Sequence, residues 1–169
     1  MSSSYLITRY MTAYLPTVSE QKKLPFRPEP REVDALYRAI NRHVFDNELT
    51  QPKIQLCSNM QKTWGLCYWE DRRQSRASWG KMGTWCEIHI SDKWFCPQWF
   101  CITLAHEMVH QYQWDIERFT KNGWHIRGDG GGHGPSFYAW KDRLAYHGIP
   151  LKISHGMKRW FLHQDFAKC

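Results

Sequence analysis

Apolar residues along this chain alternate between two periods, and each change of period marks an element. Val33, Leu36, Tyr37, Ile40 and Val44 recur at three- and four-residue intervals, the spacing of one helix face, and predict a helix over residues 31–45. Asp46-Asn47 closes it, since both side chains favour turns over helix interiors. Three short runs rich in β-branched and aromatic residues follow at 53–57, 64–69 and 85–90 and read as strands, with a weaker one at 77–79. Neither Gly nor Pro interrupts the chain from Gln98 to Asn122, so a long helix is expected over 97–119 with Pro97 in its first turn. A loop with six glycines comes next. The last predicted helix covers 135–147, with Phe137, Trp140 or the Lys141 stem, Leu144 and Ala145 toward the core, and stops at Gly148-Ile149-Pro150.

That order of elements predicts an α+β domain over residues 31–150, a small sheet of three to four strands packed on about three helices. Residues 1–30 carry Pro16, Pro25, Pro28 and Pro30 and read as an extended, proline-containing arm. Residues 151–169 read as a basic, aromatic tail. No internal repeat is present.

Composition narrows the classes. A chain of 169 residues with 42% hydrophobic and 15% aromatic residues can fill one core. No run approaches the roughly 20 apolar residues of a membrane span, and the start Met1-Ser2-Ser3-Ser4 has no signal-peptide character, so a cytoplasmic or nuclear protein is expected. The six cysteines form no C-x-x-C pair and are read as reduced, mostly apolar residues. The net charge of +7 favours polyanions. The run Asp71-Arg72-Arg73-Gln74-Ser75-Arg76 is most simply a solvated hairpin tip; its functional reading is a phosphate-contacting loop. Arg72, Arg73 and Arg76, with Lys158 and Arg159 beside Trp160-Phe161, are the candidate nucleic-acid contacts.

The sharpest chemical signal is His106-Glu107-Met108-Val109-His110 on the long helix. Residues i and i+4 lie on one face, so two imidazoles aim at one point. That point suits Zn²⁺, which binds His nitrogens at about 2.0–2.1 Å and keeps a position open in catalytic sites. Glu107 adjoins the first ligand, where a carboxylate can accept a proton from the attacking water. Two histidines bind weakly, so a third ligand is needed. His125, His133, His147, His155 and His163 are downstream, with Glu117 and Asp129 as carboxylates. His133 is favoured because Gly132 and Gly134 let its backbone come close to another helix. Gln113 and Ile116 stand where a metzincin needs Gly and His, which excludes that class.

Three segments in order, Val44-Phe45-Asp46-Asn47-Glu48-Leu49, His106-Glu107-Met108-Val109-His110 and Gly132-His133-Gly134-Pro135-Ser136-Phe137, give the chain its resemblance to the SprT-like (Spartan/SprT) metalloproteases over roughly residues 30–150. The resemblance implies a zincin-like minimal protease core and one zinc ion on His106, His110 and His133. It further implies Glu107 as general base, a protein substrate, and DNA, single-stranded or damaged, as a partner. The four-cysteine zinc ribbon that often follows such domains is missing here, since no paired cysteines lie beyond Cys101. The expected activity is therefore zinc-dependent endopeptidase action on proteins associated with nucleic acid. The competing expectations are a non-catalytic, zinc-stabilised component of a larger assembly such as a virion, and a zinc hydrolase of small amides.

Overall fold

The computed structural model describes residues 3–14, 25–60, 63–69, 86–117 and 132–153. The architecture is α+β, with helices around a sheet of three strands among the described residues. In chain order these are α1 (Ser3–Met11), α2 (Pro30–Val44), β1 (Lys53–Cys57), β2 (Gly65–Trp69), β3 (Cys86–Ser91), α3 (Pro97–Tyr112), a π-helical turn (Gln113–Glu117), α4 (Pro135–Tyr138) and α5 (Lys141–Tyr146). The expected weak strand at 77–79 lies outside the described residues. None of the described helices is long and apolar enough to cross a membrane.

The predicted stripe of α2 is buried as its spacing requires, with Leu36, Tyr37, Ile40 and Val44 inaccessible and Val33 nearly so. Pro30 opens the helix, where a missing N–H costs nothing. Its end explains the Phe45-Asp46-Asn47-Glu48-Leu49 segment. Asp46 and Asn47 both take positive φ (52° and 60°), a conformation that short polar side chains tolerate best among non-glycine residues. Asn41 then clamps the turn, its amide donating to the Leu49 carbonyl at 2.7 Å and accepting from the Leu49 N–H at 3.2 Å. Phe45 and Leu49 are thereby carried back into the core.

The sheet order is β1-β3-β2, with β1 parallel and β2 antiparallel to β3. The central β3 buries Cys86, Ile88 and Ile90 on one face, and β2 occupies an edge. Helix α3 is buried on nearly every side, from Gln98 to Val109 and again at Gln111. It packs against the sheet on one flank and against α1 and α2 on another, which makes it the central element of the molecule.

Two expectations are corrected. Residues 3–11 form a helix rather than part of an extended arm: Ile7 and Tyr10 are buried, and Tyr10 joins Phe26 and Phe100 in an aromatic cluster with centroids 6.0–6.1 Å apart. Phe26 and Trp94 exchange backbone hydrogen bonds at 2.9 Å, fixing the next described stretch to the body. The physical reason is legible afterwards: Leu6, Ile7, Tyr10 and Met11 share a helix face, and the first proline comes only at Pro16. The helix expected over 135–147 is broken into α4 and α5 at Ala139-Trp140. Phe137 and Leu144 are buried, Trp140 is half-buried, and Ala145 and Lys141 are exposed. Helix α5 ends in a Schellman arrangement, Ile149 N–H to Leu144 carbonyl and Gly148 N–H to Ala145 carbonyl, with Gly148 at φ 76°. That cap buries Ile149 and directs the chain back toward α3.

Candidate metal centre

His106 and His110 sit one turn apart on α3, and their Nε2 atoms approach to 3.0 Å. His133 comes from the segment just ahead of α4, and its Nε2 lies 3.1 Å from each of the others. The loop reaches so close because Gly132 has φ +81° and no side chain; a Cβ there would stand 3.2 Å from His110 Cε1. Phe137, inaccessible to solvent, forms the apolar support under all three rings, with centroid distances of 4.7–5.1 Å.

The outer nitrogens are fixed as well. His106 Nδ1 faces the Lys152 carbonyl at 2.6 Å, and His110 Nδ1 faces Gln113 Oε1 at 2.8 Å. A carbonyl only accepts, so both Nδ1 atoms carry the proton and both Nε2 atoms present lone pairs. Two lone pairs 3.0 Å apart repel unless a cation lies between them. Nitrogens on one tetrahedral Zn²⁺ ion stand about 3.3 Å apart, close to the spacing here, so the cluster fits an ion of that size. Burial, partly offset by Gln113 and reinforced by His133, lowers His110 to about 4, and burial also lowers His133. Both rings are therefore neutral and able to ligate at neutral pH.

Glu107 points toward the sheet edge and is only 5% exposed. Burial pushes its carboxyl up to about 8, against the backbone N–H of Cys67, which donates to it and pulls the value down. A cation at the histidines would lower it further. Gly65, at the start of β2, makes the close approach possible: a Cβ there would fall 2.6 Å from Glu107 Oε1, 2.8 Å from Thr103 Cγ2 and 2.9 Å from Glu107 Cγ.

The SprT-like family model matches residues 33–155. The chain belongs to the SprT-like family. No curated protein matches it significantly. For this SprT-like chain, His106, His110 and His133 are the group positioned to hold a metal ion among the described residues. The alternative downstream candidates among the described residues separate from them. His147 lies beside His43, with ring centroids 6.0 Å apart and the rings tilted by 54°, and Glu117 closes the π-helical turn outside the cluster. His125, Asp129, His155 and His163 lie outside the described residues, as do Arg72, Arg73, Arg76, Lys158 and Arg159. Tyr112, two residues after His110, donates to Glu48 Oε2 at 2.7 Å, with its ring packed against Phe45 and Trp140.

Sequence reasoning missed Gly65, the Cys67 N–H, Gln113 and the Lys152 carbonyl. The last also corrects the boundary at 150, because Leu151 packs on the core and Lys152 braces His106. The one signal in the sequence was the lone glycine opening an otherwise aromatic strand, a common mark of close backbone approach.

Proposed function

We propose that this SprT-like domain is a zinc-dependent endopeptidase acting on proteins associated with nucleic acid. The observation that carries the reading is the convergence of three imidazole Nε2 atoms within 3.1 Å, two of them on a helix where the residue after His106 is the buried Glu107. The all-nitrogen donor set suits zinc better than calcium or magnesium, which prefer oxygen. Held there, Zn²⁺ supplies a Lewis acid that polarises the scissile carbonyl and acidifies water.

The chain's own residues do the rest. His106 and His110 turn their Nε2 lone pairs inward because acceptors hold their Nδ1 protons, and burial keeps His110 and His133 neutral. Glu107, oriented by the Cys67 N–H, takes the proton of the attacking water and passes it to the leaving amine.

Charge distribution supports a polyanionic partner. The described residues carry ten Lys and Arg against eleven Asp and Glu, so the whole excess of +7 resides in the remaining segments, including 70–85, 118–131 and 154–169. That pattern supports DNA contacts through Arg72, Arg73, Arg76, Lys158 and Arg159, and such binding weakens steeply with salt.

The test measures zinc content and casein or histone cleavage for the purified protein and for Glu107→Gln, with and without single-stranded DNA. Glu107→Gln should keep one zinc and lose about 10²- to 10⁴-fold in cleavage, the worth of a general base. Zinc binding with no cleavage of any protein, in the presence or absence of DNA, would overturn the enzymatic reading. Cleavage indifferent to DNA at low salt would overturn the nucleic-acid part alone.

A further inference from the structure

We infer that Gln113 is a positioning residue that assembles the three-histidine site, setting the tautomer of His110 and delivering His133 through one side chain. The inference rests on the three histidines being metal ligands. Gln113 opens the π-helical turn just after α3, a local widening of the helix that is frequent at functional sites. Its side chain is buried and makes three hydrogen bonds. Nε2 donates to the Gly132 carbonyl at 2.9 Å and to Ser136 Oγ at 2.8 Å, and Oε1 accepts from His110 Nδ1 at 2.8 Å.

The directions of these bonds are not interchangeable. The Gly132 carbonyl has no proton to give, so the amide nitrogen of Gln113 must face it. The amide oxygen is then left for His110, whose Nδ1 must carry its proton, and the lone pair is left on Nε2, where the other two histidines converge. Reversing the amide would set its oxygen against a carbonyl and its N–H₂ against the ring, stabilising the tautomer that cannot ligate. The neighbours on both sides of His133, Gly132 and Ser136, hang on the same amide. One neutral side chain therefore couples a ring on α3 to a loop 19 to 23 positions downstream.

A glutamate at this position would accept from His110 equally well but could not donate to Gly132, which separates the two tasks. The experiment titrates metal-free protein with Zn²⁺ against a chromophoric chelator and records the absorption spectrum of the Co²⁺-loaded protein. It uses wild type, Gln113→Ala, Gln113→Glu, His133→Ala and the double variant Gln113→Ala/His133→Ala. Gln113→Ala should weaken zinc by about 10- to 100-fold, the usual cost of losing such an outer partner. His133→Ala should add little on that background, because the loop is no longer delivered. Gln113→Glu should keep His106 and His110 on cobalt and lose the third-nitrogen signature. Full additivity of the two alanine substitutions, or wild-type affinity and spectrum in Gln113→Glu, overturns the coupling. Absence of zinc binding by wild type would overturn the ligand assignment and the inference with it. Absence of proteolysis with intact metal binding touches only the enzymatic reading. Circular dichroism of each metal-free variant keeps misfolding apart, and Gln113→Glu, nearly the same shape, carries the test should Gln113→Ala not fold.

Discussion

Replacing Gly65 by alanine should disable Glu107 while leaving the metal site intact. The added Cβ would lie 2.6 Å from Oε1 and 2.9 Å from Cγ of Glu107, and 2.8 Å from Thr103 Cγ2, where ordinary contacts begin at 3.4 Å. Relieving the closest of these requires the carboxylate oxygen to move by about 0.8 Å. Neither neighbour yields easily: β2 is tied along its length to β3, and Thr103 is 2% exposed on the central helix. The carboxylate is the mobile partner, and its swing breaks the hydrogen bond from the Cys67 N–H. A misplacement near 1 Å costs on the order of 10²-fold in rate, so kcat/KM should fall by about that factor. Overpacking should also cost about 1–3 kcal/mol of stability. Zinc affinity should stay within about threefold, since the three atoms nearest the added Cβ belong to Glu107 and Thr103 and not to a histidine, whereas losing even an outer partner of a ligand costs 10-fold or more. The assays are peptide cleavage, zinc competition and thermal melting. Adding Thr103→Ser removes the Cγ2 clash but not the Oε1 clash, so the double variant should regain melting temperature without regaining rate. Wild-type kcat/KM in Gly65→Ala would refute the reasoning outright, and parallel recovery of rate and stability in the double variant would show that the defect was only packing.

Other outcomes follow from the same geometry. Ending the chain after Pro150 removes the Lys152 carbonyl from His106 Nδ1, and zinc should bind about 10- to 100-fold more weakly than in a chain ended after His155. In the metal-free protein His110 titrates near 4 rather than 6.5 because of its burial. The unfolded chain therefore binds the proton first as pH falls. Stability is fully present above about 6.5 and declines toward 4, by up to about 3 kcal/mol at roughly 1.4 kcal/mol per pH unit. Urea midpoints at pH 7, 5.5 and 4.5 should show a shallower decline in His110→Gln; equal slopes would exclude His110 as the cause. Ile7→Ala, on the helix at residues 3–11, should cost about 2–5 kcal/mol in urea unfolding, whereas a detached arm would make it silent.

The split between local and long-range information runs through every element of the site. The α2 stripe and the His106–His110 pair were readable because helix geometry repeats within four residues, and the sequence already carries that period. The Asp46-Asn47 turn was readable because its chemistry is local. Helix α1 was missed when prolines further along outweighed four apolar residues on one face. The break at Ala139-Trp140 left no local mark. Trp140 packs 4.5 Å from Phe45 and 4.6 Å from Tyr112, partners that helical periodicity does not reveal.

By itself, then, the sequence determined the helix-borne pair of histidines, the adjacent Glu107, the α+β order and the family's three ordered segments. Tertiary structure decided which downstream histidine joins them, which nitrogen of His106 and His110 is left bare, and where Glu107 points. Those depend on contacts between residues 19 to 46 positions apart, a carbonyl at Lys152, an amide at Gln113 reaching Gly132 and Ser136, and the bare backbone at Gly65. A carbonyl or a missing Cβ carries no pattern of its own along a chain, and its chemistry exists only once the fold brings it against a partner.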